Sequence, residues 1–168
     1  MQTIGAKSKI NFRRLVLMGL LLFLINMIIG NLLYQNPLAA GIYAQYQDHP
    51  TVKSFDFIGG VLNWVLLTNL FGLVLFCCEL ALYLFLYPIL PGGALLKGFC
   101  FGVGLGLLRA VPEAFNQWML LEYPGPLILM QLLNTFLGYT LQGMCMGPLL
   151  AKGRVLEMAS TRKGGQTE

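Results

Sequence analysis

Two charged residues, Arg109 and Glu113, lie inside a stretch that is long and apolar enough to cross a membrane. They stand one helical turn apart, with Pro112 between them. A charge near the bilayer centre costs at least ~2.5–3.5 kcal/mol on insertion scales, so it usually faces other protein groups or trapped water. The pair therefore predicts a polar centre buried between membrane helices.

Further polar side chains fall at depths that match this pair. Asn116 and Gln117 share a helical face with Glu113 by their spacing along the helix. Glu79, in the preceding apolar run, is close enough in height for the long Arg109 side chain to reach it. The candidate ligand-binding residues are Arg109, Glu113, Asn116, Gln117, Glu79, Asn26, Asn69, Gln131 and Asn134.

Two interpretations of this polar centre stay open at this stage. In the first, the residues line a pocket that holds or passes a small polar or anionic solute, and Arg109 anchors its anionic group. In the second, Glu113 and Glu79 neutralise Arg109, and the amides hydrogen-bond between helices as structural links. The sequence slightly favours the structural interpretation, because amides alone are weak evidence of function.

Sulfur-containing residues form a second group. Cys77, Cys78, Cys100 and Cys145 all lie in apolar runs, where soft thiolate ligands would suit Cu(I) or Zn. Adjacent side chains on a helix diverge by about 100°, so Cys77 and Cys78 cannot both point at one ion. We expect small core residues here, with no metal and no cofactor.

Composition places the chain in a membrane. Of 168 residues, 57% are hydrophobic and 11% are charged, and the mean hydropathy is +0.69. A soluble domain usually carries about 25% charged residues. The net charge of +4 does not indicate nucleic acid, because the basic residues lie at the ends of apolar runs rather than along one face.

Several enzyme classes are excluded by missing motifs. His49 is the single histidine, which excludes both haem held by two histidines of this chain and an H-E-x-x-H zinc site. The sequence also has no G-x-S-x-G, no P-loop and no dinucleotide fingerprint. Enzymatic activity is therefore not expected, and a lipid-acting enzyme that uses Glu113 or Glu79 as acid or base is only a lesser alternative.

Four apolar runs are long enough to cross a hydrocarbon core: Leu15–Tyr34, Phe57–Tyr87, Gly98–Leu121 and Leu127–Leu150. The second is over-long, so it must tilt, kink or project from the lipid. Of the eleven lysines and arginines, Lys53 falls on one side and Arg109 within the membrane, which leaves nine on the other side. The positive-inside rule then places both termini in the cytoplasm.

Local signals complete the predicted architecture. Gly98, Gly102 and Gly106 recur at every fourth position, a spacing that lets another helix approach closely. In the outer loop, residues 35–56, Asn36 and Pro37 begin a short interfacial helix that runs from Leu38 to about Gln47. Residues 1–14 form a basic N-terminal segment, residues 15–150 the membrane domain, and residues 151–168 a basic tail that we expect to be disordered.

The sequence thus predicts an all-α integral membrane bundle of four transmembrane helices in the bacterial cytoplasmic membrane. Its first predicted function is a non-enzymatic scaffold or accessory subunit, packed against itself or a larger membrane complex through its glycine faces. The alternative is a small-solute carrier or channel that works as a homo-oligomer and uses the Arg109 centre. The expected partners are the lipid bilayer and other membrane subunits.

Overall fold

The computed structural model describes residues 9–52, 55–152 and 156–157. Within these ranges the fold is helical, as predicted, apart from one antiparallel pair of two-residue strands, β1 and β2, in which Lys9 lies opposite Glu157. The predicted disordered tail falls almost entirely outside the described residues. The elements in chain order are β1 (Lys9–Ile10), α1 (Phe12–Tyr34), α2 (Pro37–Tyr46), a 3-10 helix (Phe55–Ile58), α3 (Val61–Leu86), α4 (Ala94–Leu120), α5 (Gly125–Lys152) and β2 (Leu156–Glu157).

Three of the helices, α1, α3 and α4, are long and apolar enough to cross a membrane. Large hydrophobic side chains such as Leu32, Phe71 and Leu108 are exposed on all three, as lipid-facing residues are. The chain is therefore an integral membrane protein with transmembrane helices. α5 has 28 residues but is less apolar, because Gln131, Asn134 and other polar residues interrupt it.

The over-long second run is divided by a pair of glycines. Gly59 and Gly60 adopt φ angles of 81° and 97°, a region that glycine occupies without steric cost. The 3-10 helix ends just before them, and α3 begins just after, at Val61. The excess length thus forms a turn ahead of a 26-residue helix.

The predicted outer-loop helix is present as α2. The Asn36 side chain accepts a hydrogen bond from the Ala39 amide at 3.0 Å, and Pro37 occupies the first helical turn, which confirms the predicted start. Ala39 is buried against Leu127 and Met130 of α5. α2 therefore packs on the beginning of α5.

The predicted glycine face makes the closest helix contact in the fold. A Cβ at Gly98 would collide with the Gly143 carbonyl of α5, and one at Gly102 would lie 3.0 Å from Thr140 Cα. Gly143 and Gly147 in turn face the α4 backbone at Gly98 and beyond. Backbone therefore meets backbone along α4 and α5, and the prediction of a close approach is confirmed.

Of the remaining helices, α3 joins this pair at one end only. A core cluster draws Leu22 from α1, Phe76 and Tyr83 from α3, Phe101 from α4 and Met146 from α5. The first ten residues of α3 pack little, and most of their described side chains are exposed. α3 thus approaches the bundle through its second half and stands away from it in its first half.

Tyr83 lies in the core and not at the membrane surface. Its position near the end of the second run predicts an aromatic anchor at the inner membrane surface. The structure instead buries it completely, with its ring edge-on to Phe101 at 5.1 Å between centroids. Tyr83 is a core residue of the α3–α4 contact.

The α4–α5 contact gives a matched pair of substitutions. We expect Gly102→Ala to lower the free energy of unfolding by about 1–3 kcal/mol, because its methyl group overlaps the α5 backbone. No atom lies within 4 Å of the position that a methyl group at Gly104 would occupy, so Gly104→Ala should be neutral or stabilising by up to ~1 kcal/mol. Unfolding of the purified protein in mixed micelles, followed by circular dichroism, measures both. Equal losses at the two positions would contradict this packing.

Candidate polar cavity in the membrane domain

An open cavity of about 300 Å³ lies where α3 stands away from the other helices. Its wall combines residues of α1, α3, α4 and α5, so it is a cavity of the whole bundle rather than of one helix pair. Small side chains at Gly30, Gly72 and Gly138 leave part of this space open. The polar lining residues are Asn26, Tyr34, Glu79, Arg109, Glu113, Asn134, Thr135, Tyr139 and Gln142.

Arg109 lies on the cavity wall with its side chain exposed. The guanidinium carbon is 5.9 Å from the centre of the Tyr139 ring, within the range of a cation–π contact. In the part of the chain that the structure describes, neither Glu79 nor Glu113 forms an ion pair with it. The expectation of a buried guanidinium is therefore corrected, because the separation of α3 opens the space beside Arg109.

Unlike Arg109, Glu79 has a buried side chain. Its side chain is only 8% exposed, and its Oε2 atom accepts a hydrogen bond of 2.8 Å from Gln142 Nε2, whose residue is 4% exposed. The bond joins α3 to α5 in the wall of the cavity. Such a bond is stronger than one between two neutral groups when the carboxyl group is ionised.

The rim near the end of α1 is tied to α5 by two contacts. Asn134 Nδ2 donates to the Leu33 carbonyl at 2.9 Å, and the hydroxyls of Tyr34 and Thr135 lie 3.0 Å apart. The Leu33 carbonyl belongs to the last turn of α1, where carbonyls lack intrahelical partners, and it also accepts a hydrogen bond of 2.7 Å from Asn36 Nδ2. Asn134 thus serves as a cap for α1 as well as a lining residue.

Several predicted site residues lie away from the cavity. Asn69 donates to the Val65 carbonyl of its own helix at 2.7 Å. Asn116 is exposed and Gln117 half-buried, and neither lines the cavity. Of the predicted set, the structure brings together Asn26, Glu79, Arg109, Glu113 and Asn134.

Gln131 belongs to a separate cluster beneath α2. Its Nε2 atom lies 3.4 Å from each of the Tyr43 and Tyr123 hydroxyls. Burial raises the pKa of Tyr123, in the turn before α5, above its ordinary value, although the hydrogen bond with Gln131 lowers it in part. These contacts tie the outer loop to α5 and leave Gln131 no access to the cavity.

Sequence reasoning missed Gln142 and Tyr139 as lining residues. The available signal was a spacing of four along α5, since Asn134, Gly138 and Gln142 fall on one helical face. Tyr139 lies beside this stripe and adds the aromatic face under Arg109. The cavity side of α5 is therefore polar over two full turns.

The cysteines do not gather at the cavity. Cys77 and Cys78 are exposed, Cys100 and Cys145 are half-buried, and all four are free thiols. Among the described residues, no group of three or more His, Cys, Asp or Glu side chains is placed to hold a metal ion.

Comparisons with protein-family models, with curated proteins and with solved structures found no match to this chain. The site is therefore interpreted from its own chemistry. It holds a guanidinium that forms no hydrogen bond with any described residue, a carboxylate fixed by an amide, and an exposed second carboxylate. Such a set can bind a polar molecule through ionic hydrogen bonds in a region of low dielectric constant.

The Glu79–Gln142 bond yields a double-mutant cycle. Either Gln142→Met or Glu79→Met leaves a buried polar group without its partner, so each should lower the free energy of unfolding by about 1–3 kcal/mol. The double variant should lose less than the sum, with a coupling of about 0.5–3 kcal/mol. Asn116→Leu, at an exposed position outside the cavity, is the control and should change stability by less than ~0.5 kcal/mol. Strict additivity would show that the two side chains do not interact.

Proposed function

We propose that this protein binds a small polar solute carrying an anionic group in the cavity beside Arg109, as a carrier or channel. One observation carries the proposal: a guanidinium lines an open cavity within the membrane domain, and no carboxylate of the described chain pairs with it. An arginine at membrane depth is costly without a partner. A bound anion would supply that partner through charge-assisted, bidentate hydrogen bonds.

A scaffold or accessory role is the second candidate. The glycine faces that suggested it are used inside the chain, because α4 and α5 pack on each other through them. The first half of α3 favours a scaffold role, because Leu62, Leu66 and Leu70 are exposed there at every fourth position. A helix of a partner subunit or of a second copy would cover this stripe. The lipid-acting enzyme stays an untested alternative.

We further propose that α5 is a fourth span. At a rise of 1.5 Å per residue its 28 residues extend about 42 Å, enough to cross a bilayer. Asn134 and Gln142 are buried, whereas an apolar stripe about 100° around the helix is exposed: Leu129, Leu133, Leu137 and Leu141. Polar residues directed inward are compatible with a membrane helix.

An even number of spans puts both chain ends on one side, and the pairing of β1 with β2 supports this by joining the two ends. The distribution of lysine and arginine makes that side the cytoplasm, in the bacterial cytoplasmic membrane. The protein would then act in the lipid bilayer as a homo-oligomer or within a larger membrane complex.

Topology reporters test the fourth span. We expect a green fluorescent protein fused after residue 168 to fluoresce and alkaline phosphatase at the same position to stay inactive, because the C-terminus is cytoplasmic. The variant Asp48→Cys should react with an impermeant maleimide added outside intact cells. Active alkaline phosphatase at the C-terminus would rule out the four-span topology.

Arg109 is the decisive residue for binding. Phosphoethanolamine or inorganic phosphate should raise the unfolding temperature of the purified protein, since a ligand at 100 times its Kd stabilises by about 2.7 kcal/mol. We expect Arg109→Met to remove this response, because the anion loses its partner, and to leave protein yield unchanged, because Arg109 is exposed.

Arg14→Met, an exposed arginine in the first turn of α1 outside the cavity, is the matched control and should keep the full response. If instead the parent protein shows no response and Arg109→Met dissociates a complex on native gels, the scaffold role is correct and the binding proposal is wrong.

A further inference from the structure

Glu79 is the most deeply buried ionisable side chain that lines the polar cavity. It is 8% exposed, and the partner that holds its carboxyl group is the uncharged amide of Gln142. A carboxylate at membrane depth is costly unless a cation or a proton neutralises it. Since no ion pair joins Arg109 to Glu79 in the described chain, a proton is the neutralising group that remains.

Tyr139 of α5 connects this carboxyl group with Arg109. The centre of its ring is 5.9 Å from the guanidinium carbon, and its hydroxyl group interacts with the carboxyl group of Glu79. Arg109 and Glu79 are also near enough for their charges to interact. A charge that binds at Arg109 therefore acts on Glu79, and the low dielectric constant of the membrane interior strengthens this effect.

The other charged or titratable groups of the cavity come from three helices. α4 contributes Arg109 and Glu113, α5 contributes Tyr139, and α1 contributes Tyr34. Arginine does not lose its proton in proteins, and tyrosine titrates far above neutral pH. The carboxyl groups of Glu79 and Glu113 are therefore the two candidates for a proton, and only Glu79 is buried away from water.

We propose that Glu79 is a proton-binding site, which takes up a proton when an anion binds at Arg109. This inference rests on the proposed function, because it adds a second ligand to the same cavity. An anion at Arg109 faces the Glu79 carboxylate as a second negative charge, and protonation of Glu79 removes that repulsion. The proton passes from water in the cavity to Glu79 Oε1, since Gln142 donates to Oε2, and it returns to water when the anion leaves. A carrier with this site moves the anion and the proton in the same direction.

Titration calorimetry of the full-length protein in detergent micelles tests the coupling. Sulfate is the probe, because it keeps its charge over the pH range of the experiment. Since the proton binds together with the anion, the affinity for sulfate should rise about 5- to 150-fold as the pH falls from about 8 to about 5. Repeating the titration in buffers of different ionisation enthalpy counts the protons, and we expect uptake of up to about one proton per sulfate.

Substitutions at the two carboxyl groups provide the matched comparison. Glu79→Gln keeps an acceptor for Gln142 and imitates the protonated carboxyl group, so it should bind sulfate at every pH with the affinity that the parent protein has at low pH. It should take up no proton, whereas Glu79→Asp, which retains a carboxyl group, should still take one up. Glu113→Gln removes an exposed negative charge from the cavity, so it should tighten sulfate binding at every pH and keep the pH dependence.

Infrared difference spectra of the parent protein detect the proton without any substitution. Addition of sulfate should produce the C=O band of a protonated carboxyl group, and this band should shift when the solvent is exchanged for heavy water. If no such band appears at any pH at which sulfate binds, the proposal is overturned, even where Glu79→Gln fails to fold.

The outcomes distinguish this inference from the function on which it rests. If sulfate binds with the same affinity at every pH, and Arg109→Met abolishes its binding, the polar cavity is an anion site and the proton assignment is wrong. A pH dependence that persists in Glu79→Gln and disappears in Glu113→Gln would also overturn the assignment. If neither sulfate nor phosphate binds to the parent protein at any pH, both proposals are wrong.

Discussion

The contact between the backbones of α4 and α5 is the constraint on which the architecture depends. Without side chains at Gly98, Gly102 and Gly143, the two helices approach until main-chain atoms touch. In a bilayer, where lipid tails are as apolar as leucine, such packing replaces the hydrophobic driving force that assembles soluble bundles. Since the same approach holds Arg109 and Tyr139 on facing helices, the position of the polar cavity follows from it.

The cavity results from the loose packing of the first half of α3. Its second half packs through Phe76, Glu79 and Tyr83, whereas its first half makes few contacts with the bundle. The Glu79–Gln142 bond lies within the packed half, between Phe76 and Tyr83, and both of its residues also line the cavity. The polar lining of α5 is therefore hydrogen-bonded to other helices at both ends, to α1 through Asn134 and to α3 through Gln142.

Local sequence signals predicted much of this fold. The helical class, the start of α2 at Asn36 and Pro37, and the close packing at the α4 glycines all follow from short-range patterns. Arg109, Glu113, Glu79, Asn26 and Asn134, which the sequence singled out because charges and amides are rare in apolar runs, all line the cavity.

The rotation and tilt of α3 could not be predicted in the same way. A helix that is apolar on every side has no stripe to show which face turns inward. For this reason no pattern in α3 indicated that Asn69 would hydrogen-bond to its own helix or that Tyr83 would fill the core. Gln142 was missed because its role depends on Glu79, a residue from a different span.

The reliance of α1 on α5 has a consequence for biosynthesis. α1 precedes the other described helices in the chain, yet α5, against which it packs most extensively, follows all of them. The α1 helix must therefore stay in lipid, alone or against α3, until α5 has been synthesised. Its nearly continuous apolar surface is compatible with lipid on every side, and the Leu33 carbonyl is capped by the nearby Asn36 before Asn134 of α5 adds a second hydrogen bond.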